Sequence, residues 1–432
     1  MKLVIQGGNT LRGKVRIGGA KNAALVLIAA SAIAGGEVIL DNVPRIADVE
    51  RQLEIVQALG GRAEWQEQGR VLLSWPDKVA VAVPYQLAKK LRASNLFLGA
   101  LAARIGQVRM PLPGGCDIGF RPMDLHLKGL SAMGFEVELE HGFINAKARE
   151  LRGARIYLDF PSVGATENIM MAAVGVPGTT IVENAAKEPE IVDLASFLSG
   201  VGATIRGAGT DLIKIEGARA GVPASAGRAP SGACDSGRGA RFSVIPDRIE
   251  AGTYMIAAAA VGAEVTIENV IIRHLQPVIA KLQDVGLEVA VGEDSLTVRR
   301  SGPLRATDIK TLPYPGFPTD LQSPMMALLC LVQGTSVISE NVFDNRFRVA
   351  DELKRMGAQI RVKGHSAVVE GPTRLLGAQV KAPDLRAGAA LIVAGLAGEG
   401  ETEICQAELI ERGYEKVAEK FCALGGKIKY VD

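Results

Sequence analysis

The stretch Gly178-Thr179-Thr180-Ile181-Val182-Glu183-Asn184 decides the fold of this 432-residue chain, because it recurs. It reads as a glycine, a short apolar strand and a closing asparagine, preceded by an apolar helix over 169–176. The same design stands at Gly36-Glu37-Val38-Ile39-Leu40-Asp41-Asn42 after 23–34, and at Gly106-Gln107-Val108-Arg109-Met110 after 96–105. It returns at Gly262-Ala263-Glu264-Val265-Thr266-Ile267-Glu268-Asn269, at Gly334-Thr335-Ser336-Val337-Ile338-Ser339-Glu340-Asn341, and at Gly400-Glu401-Thr402-Glu403-Ile404. A second pattern follows each copy: an amphipathic helix, a glycine, then an alternating strand. Leu53, Val56 and Leu59 lead to Gly60, and Leu127, Leu130 and Met133 to Gly134. The series continues to Gly202, Gly286, Gly357 and Gly425, each placed where a helix needs a left-handed cap. The two glycines of a copy are 24, 28, 24, 24, 23 and 25 residues apart. Six units of this kind predict an α/β protein of two lobes, three units in each. An open solenoid is the alternative, disfavoured by the long unit and the absence of polar terminal caps.

Composition bounds the rest. At 432 residues the chain exceeds one ordinary core. Residues 217–241, rich in Gly, Ala, Ser and Pro, read as a linker or surface insertion between the third and fourth copies. A net charge of +2, with no Lys/Arg run and no aromatic–basic interleaving, argues against nucleic acid. The apolar run 23–34 is short of the ~20 residues that span a bilayer, and the N-terminus lacks a signal-peptide core. Five cysteines without framework spacing and four scattered histidines disfavour a disulfide scaffold or a zinc site. A reducing cytoplasm is the expected compartment.

Polar residues cluster where the first helix of each unit begins. Lys21-Asn22, Arg92, Ser162-Val163-Gly164, Asp247-Arg248, Thr319-Asp320 and Asp384-Leu385-Arg386 occupy equivalent positions. Helix N-termini with Lys and Arg beside them suit anions. Arg121, Arg346 and Arg412 add guanidinium forks. Any one of these arginines alone reads as a surface ion pair; the shared register argues otherwise. The loop 113–124 carries Cys116 beside Asp117, Arg121 and Asp124. A lone cysteine is ordinarily inert filler, yet a nearby cation favours thiolate chemistry, and both readings stand on composition. The residues alone describe two lobes closing on a multiply anionic ligand.

Longer stretches carry a resemblance. Gly18-Gly19-Ala20-Lys21-Asn22-Ala23, Arg92-Ala93-Ser94, Leu112-Pro113-Gly114-Gly115-Cys116 and Arg121-Pro122-Met123-Asp124-Leu125-His126 are four of them. Ser162-Val163-Gly164-Ala165-Thr166, Glu188-Pro189-Glu190-Ile191-Val192-Asp193, Pro246-Asp247-Arg248-Ile249-Glu250, Phe317-Pro318-Thr319-Asp320, Asn345-Arg346-Phe347 and Arg412-Gly413-Tyr414-Glu415 complete the set. Together they resemble the UDP-N-acetylglucosamine 1-carboxyvinyltransferases, within the enolpyruvyl transferase family.

The resemblance implies a two-lobed inverted α/β barrel, with residues 1–20 and 242–432 in one lobe and 21–216 in the other. It implies transfer of the enolpyruvyl group of phosphoenolpyruvate to the 3-hydroxyl of UDP-N-acetylglucosamine, a step of peptidoglycan precursor synthesis, by addition and elimination. By resemblance, Cys116 is general acid and site of a covalent adduct, and Asp320 is the base. Lys21, Asn22, Arg121 and Arg412 hold phosphoenolpyruvate. Arg92, Arg121, Pro122, Met123, Asp124, Leu125, Ser162, Val163, Gly164, Asp320 and Val342 hold the nucleotide sugar. No cofactor or metal is implied, no nucleic-acid or membrane partner, and a monomer is expected. Asp117 and Phe120 depart from the family pattern; Asp117 is expected to raise the thiol pKa and slow attack on the epoxide antibiotic fosfomycin. Two other readings stay open: transfer to shikimate 3-phosphate, disfavoured by Lys21-Asn22 and Cys116, and a catalytically silent UDP-sugar-binding paralogue.

Overall fold

A computed structural model describes residues 1–112, 123–217, 240–262 and 264–431. Cys116, Asp117, Arg121, Pro122 and nearly all of the 217–241 insertion lie outside the described residues. The chain divides into two compact units. One holds residues 1–18 and 246–431, the other 19–112, 123–217 and 240–245. Each has its own apolar core. The passages between the units fall at Gly18–Gly19 and Ile245–Pro246. The reason is pairing. The Ala20 N–H donates to the Ile245 carbonyl at 2.7 Å, and the strand Ala240–Ser243 runs parallel to Gly36–Asp41. Both segments therefore belong with the middle of the chain.

Among the described residues each unit contains three sheets built to one plan: a parallel pair, then two antiparallel partners. In the middle unit Ala240–Ser243, Gly36–Asp41, Arg70–Trp75 and Arg62–Gln66 make the first sheet. Arg155–Tyr157, Gly178–Glu183, Leu212–Gly217 and Thr204–Arg206 make another. In the third, Gln107–Pro111, Phe143–Ala148 and Phe135–Glu140 follow a single parallel bridge from Ala82 to Arg109. The other unit repeats the plan. Arg12–Arg16, Glu264–Glu268, Ser295–Arg300 and Leu287–Val291 form one sheet, and Ile309–Lys310, Gly334–Ser339, Ser366–Gly371 and Gln359–Lys363 a second. In the third, the N-terminal strand Lys2–Gln6 lies between Glu401–Cys405 and Lys427–Val431, with Leu3 opposite Ile404 and Tyr430.

Local chemistry explains the repetition. Gly60, Gly134, Gly202, Gly286, Gly357 and Gly425 all have φ between +89° and +107°, a region costly for any side chain. Asn42, Asn184 and Asn269 also turn left-handed at their strand ends, with φ of 56°, 54° and 62°. Their amides donate across to the neighbouring parallel segment, at Val244 O (2.8 Å), Leu158 O (2.8 Å) and Ile17 O (2.7 Å). The first helices are apolar all round because they are buried all round. Lys21–Ala34, Leu96–Ile105 and Val163–Val174 fill the centre of the middle unit. Gly99 lets two of them touch: its N–H donates to Asn168 Oδ1 at 2.7 Å, and a Cβ there would lie 2.3 Å from the Asn168 carbonyl oxygen.

Candidate functional site

The polar helix starts place charged groups in each unit. In the middle unit Lys21 opens helix Lys21–Ala34 without a side-chain cap. Its ammonium lies 2.7 Å from Asp48 Oδ2, and Asp48 also meets Arg51 at 3.1 Å. Asp48 is fully buried, so this is a desolvated cluster rather than a surface pair. Asn22 reaches Glu190 Oε1 at 3.5 Å. Arg92 begins the short turn Arg92–Asn95 and is half-buried. Ser162 caps helix Val163–Val174, its hydroxyl accepting the Ala165 N–H at 3.3 Å. Val163 and Gly164 form the half-buried first turn. Met123 is buried, Leu125 half-buried and Asp124 exposed at the start of helix Asp124–Ala132.

The middle unit also buries four carboxyls, Glu167, Glu188, Glu190 and Asp193, each at most 7% exposed. Burial, reinforced by Glu190 and Glu188, holds the Glu167 carboxyl well above the usual carboxylate range. Burial likewise pushes Asp193 up to about 7, opposed by the Ile245 N–H it accepts and assisted by Glu190. Sequence reasoning quoted Glu188, Glu190 and Asp193 only as part of a motif and gave them no task. It missed Asp48 altogether. The signal available was position, since Asp48 and Glu190 both lie in the first turn of a second-pattern helix.

In the other unit the structure brings three of the singled-out residues together. Asp320 lies in the turn Thr319–Leu321 and is held by two guanidiniums. Arg346 Nη2 donates to its Oδ1 and Arg386 Nη2 to its Oδ2, the latter at 2.8 Å. Arg346 and Arg386 are 3% and 4% exposed, whereas the Asp320 carboxylate is 21% exposed. The charge is thus anchored from beneath with one side open. Burial pulls the Arg386 pKa down, but Asp320 and neighbouring groups more than offset it and hold it above the ordinary guanidinium value. The same guanidinium lies 5.6 Å from the Tyr414 ring centre, and Tyr414 shares a 2.8 Å hydrogen bond with Thr253. Val342 is fixed next to this turn. Its N–H donates to Glu340 Oε1 at 2.9 Å while Thr319 donates to Glu340 Oε2 at 3.0 Å. Arg412 ends the turn Ala407–Arg412 and is half-buried. Among the described residues, no three His, Cys, Asp or Glu gather as metal ligands, and no helix is long and apolar enough to cross a membrane.

Cations at helix starts can bind anions, and a carboxylate pinned by arginines can accept a proton from a hydroxyl. The chain as a whole is similar to known proteins. The family model described as EPSP synthase (3-phosphoshikimate 1-carboxyvinyltransferase) matches residues 5–421. UDP-N-acetylglucosamine 1-carboxyvinyltransferase 2 of Carboxydothermus hydrogenoformans is 53% identical, covering 100% of this chain and 99% of its own. UDP-N-acetylglucosamine 1-carboxyvinyltransferase of Halothermothrix orenii is 50% identical, covering 100% and 99%. Among solved structures, the enolpyruvyl transferase NikO from Streptomyces tendae aligns with a TM-score of 0.86 at 26% identity, over 99% of this chain and 98% of that one. EPSP synthase from Acinetobacter baumannii shares the fold, with a TM-score of 0.76 at 20% identity over 100% of both chains.

Proposed function

The chain belongs to the EPSP synthase family of enolpyruvyl transferases, and from that premise we propose that it transfers the enolpyruvyl group of phosphoenolpyruvate to the 3-hydroxyl of UDP-N-acetylglucosamine, releasing phosphate. The carrying observation is identity near one half, end to end, with relatives named for that reaction. In this reading each unit is an inverted α/β barrel of three repeats. The protein works in the cytoplasm as a monomer and supplies a precursor of peptidoglycan.

The chemistry asks for an acid, a base and a cationic clamp. C3 of phosphoenolpyruvate takes a proton, C2 becomes electrophilic, and the sugar oxygen attacks as its proton leaves. The tetrahedral phospho-ketal then loses phosphate from C2 and a proton from C3, restoring the vinyl group. We assign the acid, and the covalent adduct, to Cys116 and the base to Asp320. Both Asp320 oxygens are fixed by guanidiniums, so its lone pairs have a set direction rather than a swinging one. Lys21, Asn22, Arg121 and Arg412 are assigned to the phosphate and carboxylate of phosphoenolpyruvate, offsetting charge as it shifts to the leaving group. Arg92, Arg121, Pro122, Met123, Asp124, Leu125, Ser162, Val163, Gly164, Asp320 and Val342 are assigned to the nucleotide sugar. A phosphate-release assay with phosphoenolpyruvate and either acceptor tests the reading. Release with UDP-N-acetylglucosamine supports it; release only with shikimate 3-phosphate, or binding without turnover, overturns it.

A further inference from the structure

The fifth unit departs from the repeat at the end of its central strand. In the first, third and fourth units the residue after the strand is a left-handed asparagine, Asn42, Asn184 or Asn269. The residue after that one donates its N–H to the antiparallel neighbour: Val43 to Gly69 O, Ala185 to Asp211 O and Val270 to Asp294 O. In the fifth unit the strand Gly334–Ser339 runs straight on. Glu340, the very next residue, donates to His365 O at 2.9 Å with no left-handed turn between. Side chains alternate along a strand, so Glu340 continues the inward series of Ser336 and Ile338, and it is 1% exposed. The three asparagines at its position are only half-buried.

A carboxylate is costly to bury, and this one is built into its surroundings. Oε1 accepts the backbone N–H of Val342 at 2.9 Å and that of Phe343 at 3.1 Å. Oε2 accepts the Thr319 hydroxyl at 3.0 Å. The two oxygens therefore face different segments. One holds the backbone assigned to the acceptor sugar, and the other holds the turn Thr319–Leu321, in which Asp320 is the middle residue. A second link closes the circuit. The Arg346 guanidinium lies 5.2 Å from the Phe343 ring centre and donates to Asp320 Oδ1. The arginines fix the direction of the Asp320 carboxylate; Glu340 fixes how far its turn stands from the backbone at Val342.

We propose that Glu340 is a positioning residue for enolpyruvyl transfer, a buried bracket that holds the sugar-binding backbone at Val342 in register with the base Asp320. This rests on the reading of the chain as an enolpyruvyl transferase acting on UDP-N-acetylglucosamine. In this role Glu340 touches no substrate and acts through Thr319 and Val342. Transfer is sensitive to such placement, since a shift of about 1 Å between reacting groups can cost about a hundredfold in rate.

The test uses the full chain, with kcat and KM for each substrate from phosphate release, and urea unfolding of each variant. Thr319→Val removes the hydroxyl but keeps the shape, so the base turn is released while Val342 stays held. Its kcat is expected to fall about tenfold, the scale of one hydrogen bond to a charged group, with KM for UDP-N-acetylglucosamine within about twofold of wild type. Glu340→Met releases both segments. Its kcat should fall and its KM for UDP-N-acetylglucosamine rise, each about tenfold, while KM for phosphoenolpyruvate stays unchanged. In Glu340→Gln the amide oxygen still accepts the two N–H groups and the amide N–H donates to the Thr319 hydroxyl, so kcat and KM should return to within about threefold of wild type. Variants that unfold at lower urea yet keep wild-type kcat and KM make the carboxylate purely structural and overturn the proposal. An equal rise in KM for phosphoenolpyruvate, or a Glu340→Gln variant as impaired as Glu340→Met, also overturns it. Should Glu340→Met fail to fold, Thr319→Val decides: a loss in kcat at unchanged KM supports the bracket, and an unchanged kcat refutes it. Wild type that releases no phosphate with UDP-N-acetylglucosamine sinks the functional reading itself; active wild type with variants equal to it sinks only the role of Glu340.

Discussion

Replacing Asp320 with asparagine should destabilise the protein as well as silence it, and the size of the effect follows from its surroundings. Asp320 is the anion between Arg346 and Arg386, which are 3% and 4% exposed. With charge centres about 4 Å apart and an effective dielectric near 20, each pair is worth about 4 kcal/mol before other terms. Several effects reduce that figure. The carboxylate is 21% exposed, Asp384 remains 3.8 Å from Arg346, and an asparagine oxygen still accepts one hydrogen bond. We therefore expect Asp320→Asn to cost about 3 kcal/mol, most of it the penalty of two buried guanidiniums left short of charge. At an m-value of about 2 kcal/mol/M this moves a urea midpoint by roughly 1.5 M at pH 7.5. In an Arg386→Met background one guanidinium is gone, so the same substitution should cost about half as much. The assay is urea unfolding of the four proteins of this double-mutant cycle, with phosphate release measured alongside. An Asp320→Asn variant within 0.5 kcal/mol of wild type, or strict additivity with Arg386→Met, would refute the claim that these arginines depend on Asp320.

Other outcomes follow from the same structure. Gly99→Ala drives a methyl to 2.3 Å from the Asn168 carbonyl oxygen and should cost about 2–4 kcal/mol, whereas Gly200→Ala, with nothing within 4 Å, should be neutral or slightly stabilising; thermal unfolding distinguishes them. Asp193 has its folded pKa raised to about 7, so the protonated form is the stabilising one. Its contribution is complete below the unfolded value near 4 and is lost as pH rises through 7. Asp193→Asn should therefore gain stability relative to wild type between pH 4.5 and 8, by about 3 kcal/mol in urea unfolding; a constant difference across that range would refute this. Asp117→Ala is expected to lower the Cys116 thiol pKa and quicken alkylation by fosfomycin at neutral pH, with rate–pH profiles as the readout and identical profiles as the contrary result.

The repeated parts of the molecule were legible because their causes are local. A helix that stops before a strand needs a left-handed residue, and the glycines that supply it recur in register from Gly60 to Gly425. The asparagines at 42, 184 and 269 were read as strand ends, but not as ties. Their left-handed turns and cross-strand amide bonds depend on a partner segment that local sequence does not name, as far away as Val244 is from Asn42. Pairing of Arg12–Arg16 with Glu264–Glu268, and of Ala240–Ser243 with Gly36–Asp41, has no local signature either. These exchanges set the passages at Gly18–Gly19 and Ile245–Pro246. In the candidate site, Asp320, Arg346 and Arg386 were each marked by sequence, but their junction joins two short turns of the fifth unit to the helix start of the sixth. Asp48 and Glu167 were invisible for a plainer reason: an acid in a helix reads as a solvated face until its burial is known.

The decisive measurement counts product. Purified protein is given equal amounts of phosphoenolpyruvate and UDP-N-acetylglucosamine, and inorganic phosphate is quantified against UDP-sugar carrying an added carboxyvinyl group by mass spectrometry. One phosphate for each modified UDP-sugar is the expected result. Phosphate without a modified sugar, or an unmodified sugar held without any phosphate, would contradict the account.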